Sequence, residues 1–265
     1  MEFDTQPWSS RALIALRRLG VGAPTSLEVP FVRSSTELDD ALARSRPVCV
    51  RLRLADDFDL EDTIDLVPER VPVATGDYQR TYDTPLEHVS YRDYLRFLTG
   101  DQEQPCASPS SGLPPYLRAA RFAGGFELLQ RTPPELGLSE RFGPRACEQP
   151  LLWAGPQQAA SVAHVDIFDN FAIGLRGTKV FRLWHASDLT VEEYRPGDPR
   201  GRFWTCHGPL PPPRATVELS PDVGLVLPAG WIHEVRARGT TVMINFFNTR
   251  CEPRSFTALR HAAAS

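Results

Sequence analysis

The chain has 265 residues and a formal net charge of −4, with apolar residues at 42% and charged residues at 23%. That balance is ordinary for a globular protein, and a general nucleic-acid or anionic-membrane surface is not expected from it, a local basic patch being still open. No run approaches the roughly 20 apolar residues of a membrane span, the N-terminus lacks the apolar segment of a signal peptide, and the five scattered cysteines form no C-x-x-C. The expectation is therefore a cytoplasmic protein with no disulfide framework and no structural zinc.

Residues 8–20 place Ala12, Leu13, Leu16 and Leu19 near helical spacing, with Gly20 as a stop. A second helix opens with Ser35 or Thr36 as N-cap and runs to Arg44. Residues 47–52 read as a strand. The acidic stretch 55–70 lacks the central Gly of a calcium loop and reads as a solvated helix or loop. Ser90 caps an amphipathic helix through Leu98, residues 101–115 form a polar loop, and Tyr116 to Leu129 is a short element broken at Gly124-Gly125.

After residue 150 the pattern changes to short strands with turn signals: 150–154, 161–167, 170–175, 178–184, 215–219, 224–228, 232–238 and 240–247. A Pro/Gly-rich insertion, 185–214, lies between them, and loops of that length usually serve as lids or binding loops. With no internal repeat and no clean linker, the expectation is a single domain over 1–265. Residues 1–149 supply helical and strand support, 150–250 the core, and 185–214 a substrate lid. The fold class is mainly β: a double-stranded β-helix of the jelly-roll or cupin type with flanking N-terminal α-helices.

His164-Val165-Asp166 carries the chemistry. Side chains i and i+2 of a strand share a face, so an imidazole and a carboxylate converge. Two such ligands are part of the 2-His-1-carboxylate arrangement that leaves open positions on non-haem Fe(II). An isolated H-x-D is common, so the assignment needs more of the chain. Leu225–Val235 ends a strand in Pro228-Ala229-Gly230 and restarts at His233, 69 residues after His164 (233 − 164). That places His233 on a distant strand of the barrel, able to complete the triad. Lys179, the only lysine, lies in an otherwise apolar strand. An outward Lys at a strand start is the commoner case, whereas an inward ammonium needs an anionic partner such as a dicarboxylate.

Taken together, the Gly-Pro run, the H-x-D, the Asp169-Asn170 pair, the Gly177-x-Lys179 strand and Pro228-Ala229-Gly230-Trp231-x-His233-x-Val235 followed by Asn245-Phe246 resemble the JmjC and cupin-like family of Fe(II)/2-oxoglutarate oxygenases. The likeness is to the branch that holds the factor-inhibiting asparaginyl hydroxylase, and it is specific over 150–250. The resemblance implies Fe(II) held by His164, Asp166 and His233, with O2 and 2-oxoglutarate as co-substrates. It implies Lys179 and Ser161 on the far carboxylate of 2-oxoglutarate, with Asn170 and Asn245 lining the co-substrate side. Met243 stands where many other oxygenases of the superfamily carry an Arg, which favours Lys179 as the anchor. A Tyr that contacts 2-oxoglutarate in some members has no fixed counterpart in the sequence.

The implied activity is hydroxylation of a C–H bond in a small molecule, amino acid or peptide, natural-product intermediates included. The alternatives are a protein or RNA hydroxylase or demethylase of the same family, a cupin metalloenzyme of other chemistry, and a non-catalytic sensor. A small-molecule or peptide partner is expected, with no nucleic acid and no membrane, and a homodimer is allowed. Trp231 is expected beneath His233, and Arg176 and Arg182 face away from Lys179.

Overall fold

The computed structural model describes Arg17 and residues 26–52, 59–106, 112–190, 193–196 and 203–249. Arg17 apart, the helix expected over 8–20 lies outside the described residues, as does His261. Two N-terminal strands, β1 (Phe31–Val32) and β2 (Val48–Arg51), flank helix α1 (Ser35–Ala43). The cap of α1 is Ser34, not Ser35 or Thr36: its hydroxyl accepts from Glu37 N at 3.2 Å. Ser34 precedes Glu37 by three residues, and Glu37 in turn reaches back to accept from Arg33 N at 2.7 Å, a close variant of the capping box.

Strands β3 (Arg70–Ala74) and β4 (Leu86–Ser90) lead into helix α2 (Tyr91–Thr99). Ser90 caps α2, as the residue pattern predicts, and Gly100 ends it at φ 91°. The stretch 116–129 divides into strand β5 (Tyr116–Arg121) and helix α3 (Gly125–Gln130), and a further short helix, α4 (Leu138–Phe142), follows. The remaining strands are β6 (Leu151–Gly155), β7 (Ala160–Asp166), β8 (Asn170–His185), β9 (Tyr194–Pro196), β10 (Phe203–Cys206), β11 (Ala215–Leu219), β12 (Val223–Leu227) and β13 (Trp231–Phe247).

Two strands span both walls of the barrel. The pairs 170–175/178–184 and 232–238/240–247, expected as four strands, are the single strands β8 and β13. Each bends at a glycine in the left-handed region, Gly177 at φ 65° and Gly239 at φ 76°. Only glycine takes that conformation without steric cost, so the chain turns the corner without ending the strand. Beyond the bend the partners change. The first half of β8 pairs with β12 and the second half with β11. The first half of β13 pairs with β7 and the second half with β6. One wall therefore runs β11-β8-β13-β7-β10-β9, and the other β1-β2-β12-β8-β13-β6-β5-β3-β4.

The core follows from alternation along these strands. Ala172, Phe181, Leu183, Leu225, Leu227 and Met243 fill the space between the walls. Their neighbours Phe171, Ile173, Val226, Ile244 and Phe246 face the other way, against the helices. Val165, Trp184 and Ile232 form a third cluster behind the smaller wall. Strands buried on both faces read as continuous apolar runs, which is why Val223–Leu227 has no polar position. The insertion 185–214 is not a plain loop. Its β10 pairs with β7, setting Phe203 against Asp166 and Thr205 against His164, and its β9 follows at the edge.

Candidate metal centre

The centre is built on two adjacent antiparallel strands. His233 of β13 stands directly across from His164 of β7, with ring centroids 4.1 Å apart. The second histidine, expected on a distant strand, is on the neighbouring one, because β13 returns beside β7 once Pro228-Ala229-Gly230 has turned the chain. Asp166, two residues on from His164, shares its face, and its Oδ2 lies 3.6 Å from His233 Nε2. One ligating atom from each of the three falls within 4.8 Å of the others.

Both imidazoles are prepared as ligands. His164 Nδ1 is 2.8 Å from the Val162 carbonyl, and His233 Nδ1 is 3.1 Å from the Trp231 carbonyl. Each carbonyl holds the proton on Nδ1 and leaves the Nε2 lone pair facing inward. Burial drives both rings to the neutral form: it lowers His233 to about 4 and holds His164 well below the usual histidine range. The 3.6 Å approach of Asp166 to His233 is therefore not an ion pair at neutral pH. Two neutral imidazoles and one carboxylate, closely grouped, are a donor set that fits Fe(II). Trp231 supports His233 through its carbonyl, not through its ring, which instead donates from Nε1 to Ser45 O and packs edge-on to His185.

Lys179 points into the barrel and is only 3% exposed. It shares its face with Phe181 and Leu183, and burial lowers its pKa from 10.5 to about 7. Its Nζ is 3.5 Å from Tyr116 Oη, on β5 of the opposite wall. Ser161 lies near enough to Tyr116 to lower its hydroxyl's pKa as a hydrogen-bonding partner does, against the larger rise from burial, so Lys179, Tyr116 and Ser161 are neighbouring polar groups in an apolar interior. Asn170 and Asn245 are buried and bonded to each other, Nδ2 of Asn245 to Oδ1 of Asn170 at 2.7 Å. No hydrogen bond among the described residues links either amide to the triad, and Asn245 Oδ1 is buried without a hydrogen-bond partner.

Tyr116 escaped the sequence reading. So did Tyr82, whose ring lies 5.8 Å from that of His164, and Arg118, whose guanidinium covers the Tyr82 ring at 3.7 Å. The available signal was Tyr116-x-Arg118, two polar-tipped residues at the same-face spacing of a strand. Arg182 faces outward and pairs with Glu234 at 3.1 Å, and Arg176 is exposed. His185 is buried, with its backbone N held by Asp188, and His207 bonds Thr205 at 3.0 Å. His88 is exposed.

A barrel of two walls with a His-x-Asp…His group on its inner face defines a cupin-type protein. The chain belongs to the cupin-like domain family, whose model matches residues 79–251. Among solved structures it is similar to E. coli ycfD, with a TM-score of 0.52 at 15% identity over 83% of this chain. At that identity the likeness is one of fold. This chain spans 55% of that neighbour's length. No curated protein matches. Among the described residues, no helix is long and apolar enough to cross a membrane.

Proposed function

We propose that the protein is an Fe(II)- and 2-oxoglutarate-dependent oxygenase that hydroxylates a C–H bond of a small molecule, amino acid or peptide. The observation that carries this is the pairing of two sites in one barrel. His164, Asp166 and His233 offer three ligand atoms within 4.8 Å, and the chain's only lysine is buried in the same interior. Iron held there would supply the oxidation in which a substrate C–H, O2 and 2-oxoglutarate give the hydroxylated substrate, succinate and CO2.

The protein's own residues bind and orient. His164, Asp166 and His233 would hold the metal through two imidazoles and one carboxylate. Lys179, with the Tyr116 and Ser161 hydroxyls, takes the far carboxylate of 2-oxoglutarate. An ammonium beside a hydroxyl in a dry cavity is a strong, directional carboxylate site, because burial strengthens each charge-assisted bond. The apolar side chains of Phe181, Leu183, Met243 and Trp153 exclude water around it.

The deciding measurement is succinate release from 2-oxoglutarate by the Fe(II)-loaded chain under air. Succinate in the wild type and none in His164→Ala supports the assignment. Tight metal binding with no succinate, with or without candidate substrates, places the protein among cupins of other chemistry.

A further inference from the structure

The barrel contains a second buried cation. Arg118 is 7% exposed. Its Nη1 donates to the Tyr82 carbonyl at 2.9 Å and to Thr84 Oγ1 at 3.2 Å. Among the described residues, no carboxylate lies within ion-pair distance of it. A guanidinium stays charged in a protein, so burying it with only neutral acceptors is costly until an anion arrives.

Its placement beside the metal centre has a backbone cause. Ala119 sits at φ 53°, and the ladder from β5 to β6 slips between Leu117 and Ala120. This is a bulge: Leu117 and Ala120 join the cluster beneath the helices, while Tyr116 and Ala119 join the barrel interior. Bulges re-aim side chains next to active sites. Here the guanidinium lies over the Tyr82 ring, and that ring packs on Phe203 at 4.3 Å and on His164 at 5.8 Å. Phe203 also meets His164 edge-on at 6.0 Å. A cation, two aromatic walls and a metal-ligating histidine thus adjoin one another.

The co-substrate cannot satisfy every cation. In the function proposed above, Lys179 takes the far carboxylate of 2-oxoglutarate, and its other end would be held at the metal centre. The planar fork of Arg118, shaped for a carboxylate or phosphate, is left over. We infer that Arg118 binds an oxyanion of the primary substrate. That substrate is then a small carboxylic or phosphoric acid whose apolar part lies on Tyr82 and Phe203 beside His164. The inference rests on the function proposed above for the neighbouring metal and co-substrate sites.

The test uses the full chain and matched probes: N-acetyl amino acids with their N-acetyl amides, and phosphomonoesters with their parent alcohols. Binding is followed by ligand-observed NMR on the Mn(II)- and 2-oxoglutarate-loaded chain without oxygen, and again on the metal-free chain. In one of the two series the acid should bind about 10- to 100-fold more tightly than its neutral partner. The series that does so tells carboxylate from phosphate. Arg118→Gln should remove that preference and Arg118→Lys should restore part of it.

If no acid outbinds its neutral partner, or if Arg118→Gln keeps the preference, the inference is wrong. A fall in 2-oxoglutarate affinity in Arg118→Gln with the probe preference intact also overturns it, by assigning Arg118 to the co-substrate. Thr84→Val removes an acceptor of Arg118 and keeps the guanidinium. Its loss of acid preference would assign the effect to packing of the 82–84 segment and overturn the inference too. Titration of 2-oxoglutarate alone onto the Mn(II)-loaded chain is the separate check on the proposed function. Its failure sinks that reading, whereas acid preference on the metal-free chain stands or falls with Arg118.

Discussion

Lys179 and Tyr116 lie on opposite walls of the barrel, 63 positions apart in the chain, and their Nζ and Oη atoms meet at 3.5 Å. This contact joins the smaller wall, which carries His164, Asp166 and His233, to the larger one. It also sets the energetic problem of the site. Burial lowers Lys179 from 10.5 to about 7, and a difference of that size is about 5 kcal/mol against the charged form.

The ligand-free protein should therefore gain stability with alkali. The unfolded chain binds the Lys179 proton up to about 10.5 and the folded chain only up to about 7. Between those values the unfolded state holds more protons, so stability rises with pH, and below about 7 the full penalty applies. Urea unfolding of the metal-free chain at pH 6.5 and pH 9 should show a higher midpoint at pH 9. Lys179→Met should raise the unfolding free energy at pH 6.5 by up to a few kcal/mol, and the midpoint with it, and lose the Lys179 share of the pH gain. A Lys179→Met chain less stable than wild type at pH 6.5 would mean the ammonium is already neutralised from within.

Bound 2-oxoglutarate should reverse the shift. An opposite charge beside the ammonium favours its protonated form. Because Lys179 is the only lysine, a chain labelled with 13C-lysine has one Cε signal to follow. That signal should titrate near 7 in the free protein and well above it once 2-oxoglutarate is bound. Affinity for 2-oxoglutarate should accordingly weaken as pH rises through about 7. A Cε signal indifferent to 2-oxoglutarate would place the anchor elsewhere.

Tyr116→Phe removes the hydroxyl shared by Lys179 and Ser161 but keeps the ring on Trp153 and Tyr78. One neutral hydrogen bond is worth about 1 kcal/mol net, so the 2-oxoglutarate requirement should rise about 5-fold. Lys179→Met should raise it about 10- to 100-fold, since it removes a charged partner. Steady-state succinate formation against 2-oxoglutarate concentration orders the two variants, and the reverse order would contradict the assigned roles.

Removing one triad member should reduce metal retention steeply. Calorimetric Mn(II) titration of the wild type should give one site per chain, and Asp166→Ala should weaken binding at least 10-fold by removing the one anionic ligand. Unchanged Mn(II) affinity in Asp166→Ala would remove Asp166 from the metal.

Asn170 and Asn245 present a structural alternative to their implied role. Asn170→Ala strands the Asn245 amide, and a buried unsatisfied polar group costs about 1–3 kcal/mol. Urea unfolding should show that loss in the metal-free chain. A loss seen only as a higher 2-oxoglutarate requirement, with unfolding unchanged, would give the pair to the co-substrate.

The barrel strands were legible because alternation and turn residues are local. The His164–Asp166 face, the Ser90 cap and strands β6, β7, β11 and β12 follow from spacing alone. The joining of four expected strands into β8 and β13 was not legible. A glycine in a strand pattern marks either an end or a bend, and only the partner strands on both sides decide which. The cap of α1 was misplaced by one residue, since Ser34, Ser35 and Thr36 all qualify and only the Glu37 contact selects Ser34. The 185–214 insertion hid β9 and β10 because Phe203–Cys206 gains its order by pairing with β7, and Tyr194–Pro196 by pairing with β10.

By itself the sequence determined that a histidine and a carboxylate share one strand face, that one further histidine follows a tight turn, and that the chain has a single lysine. These are facts of residue type and of a two-residue period. The tertiary structure alone decided that His233 stands across from His164, that Lys179 points inward, that Tyr116 meets Lys179 from the far wall and that Arg118 covers the Tyr82 ring. Each of those depends on which strands pair and where a bulge or glycine bend reverses a face. Those choices come from burying two sheets against each other, and no local window of residues contains that information.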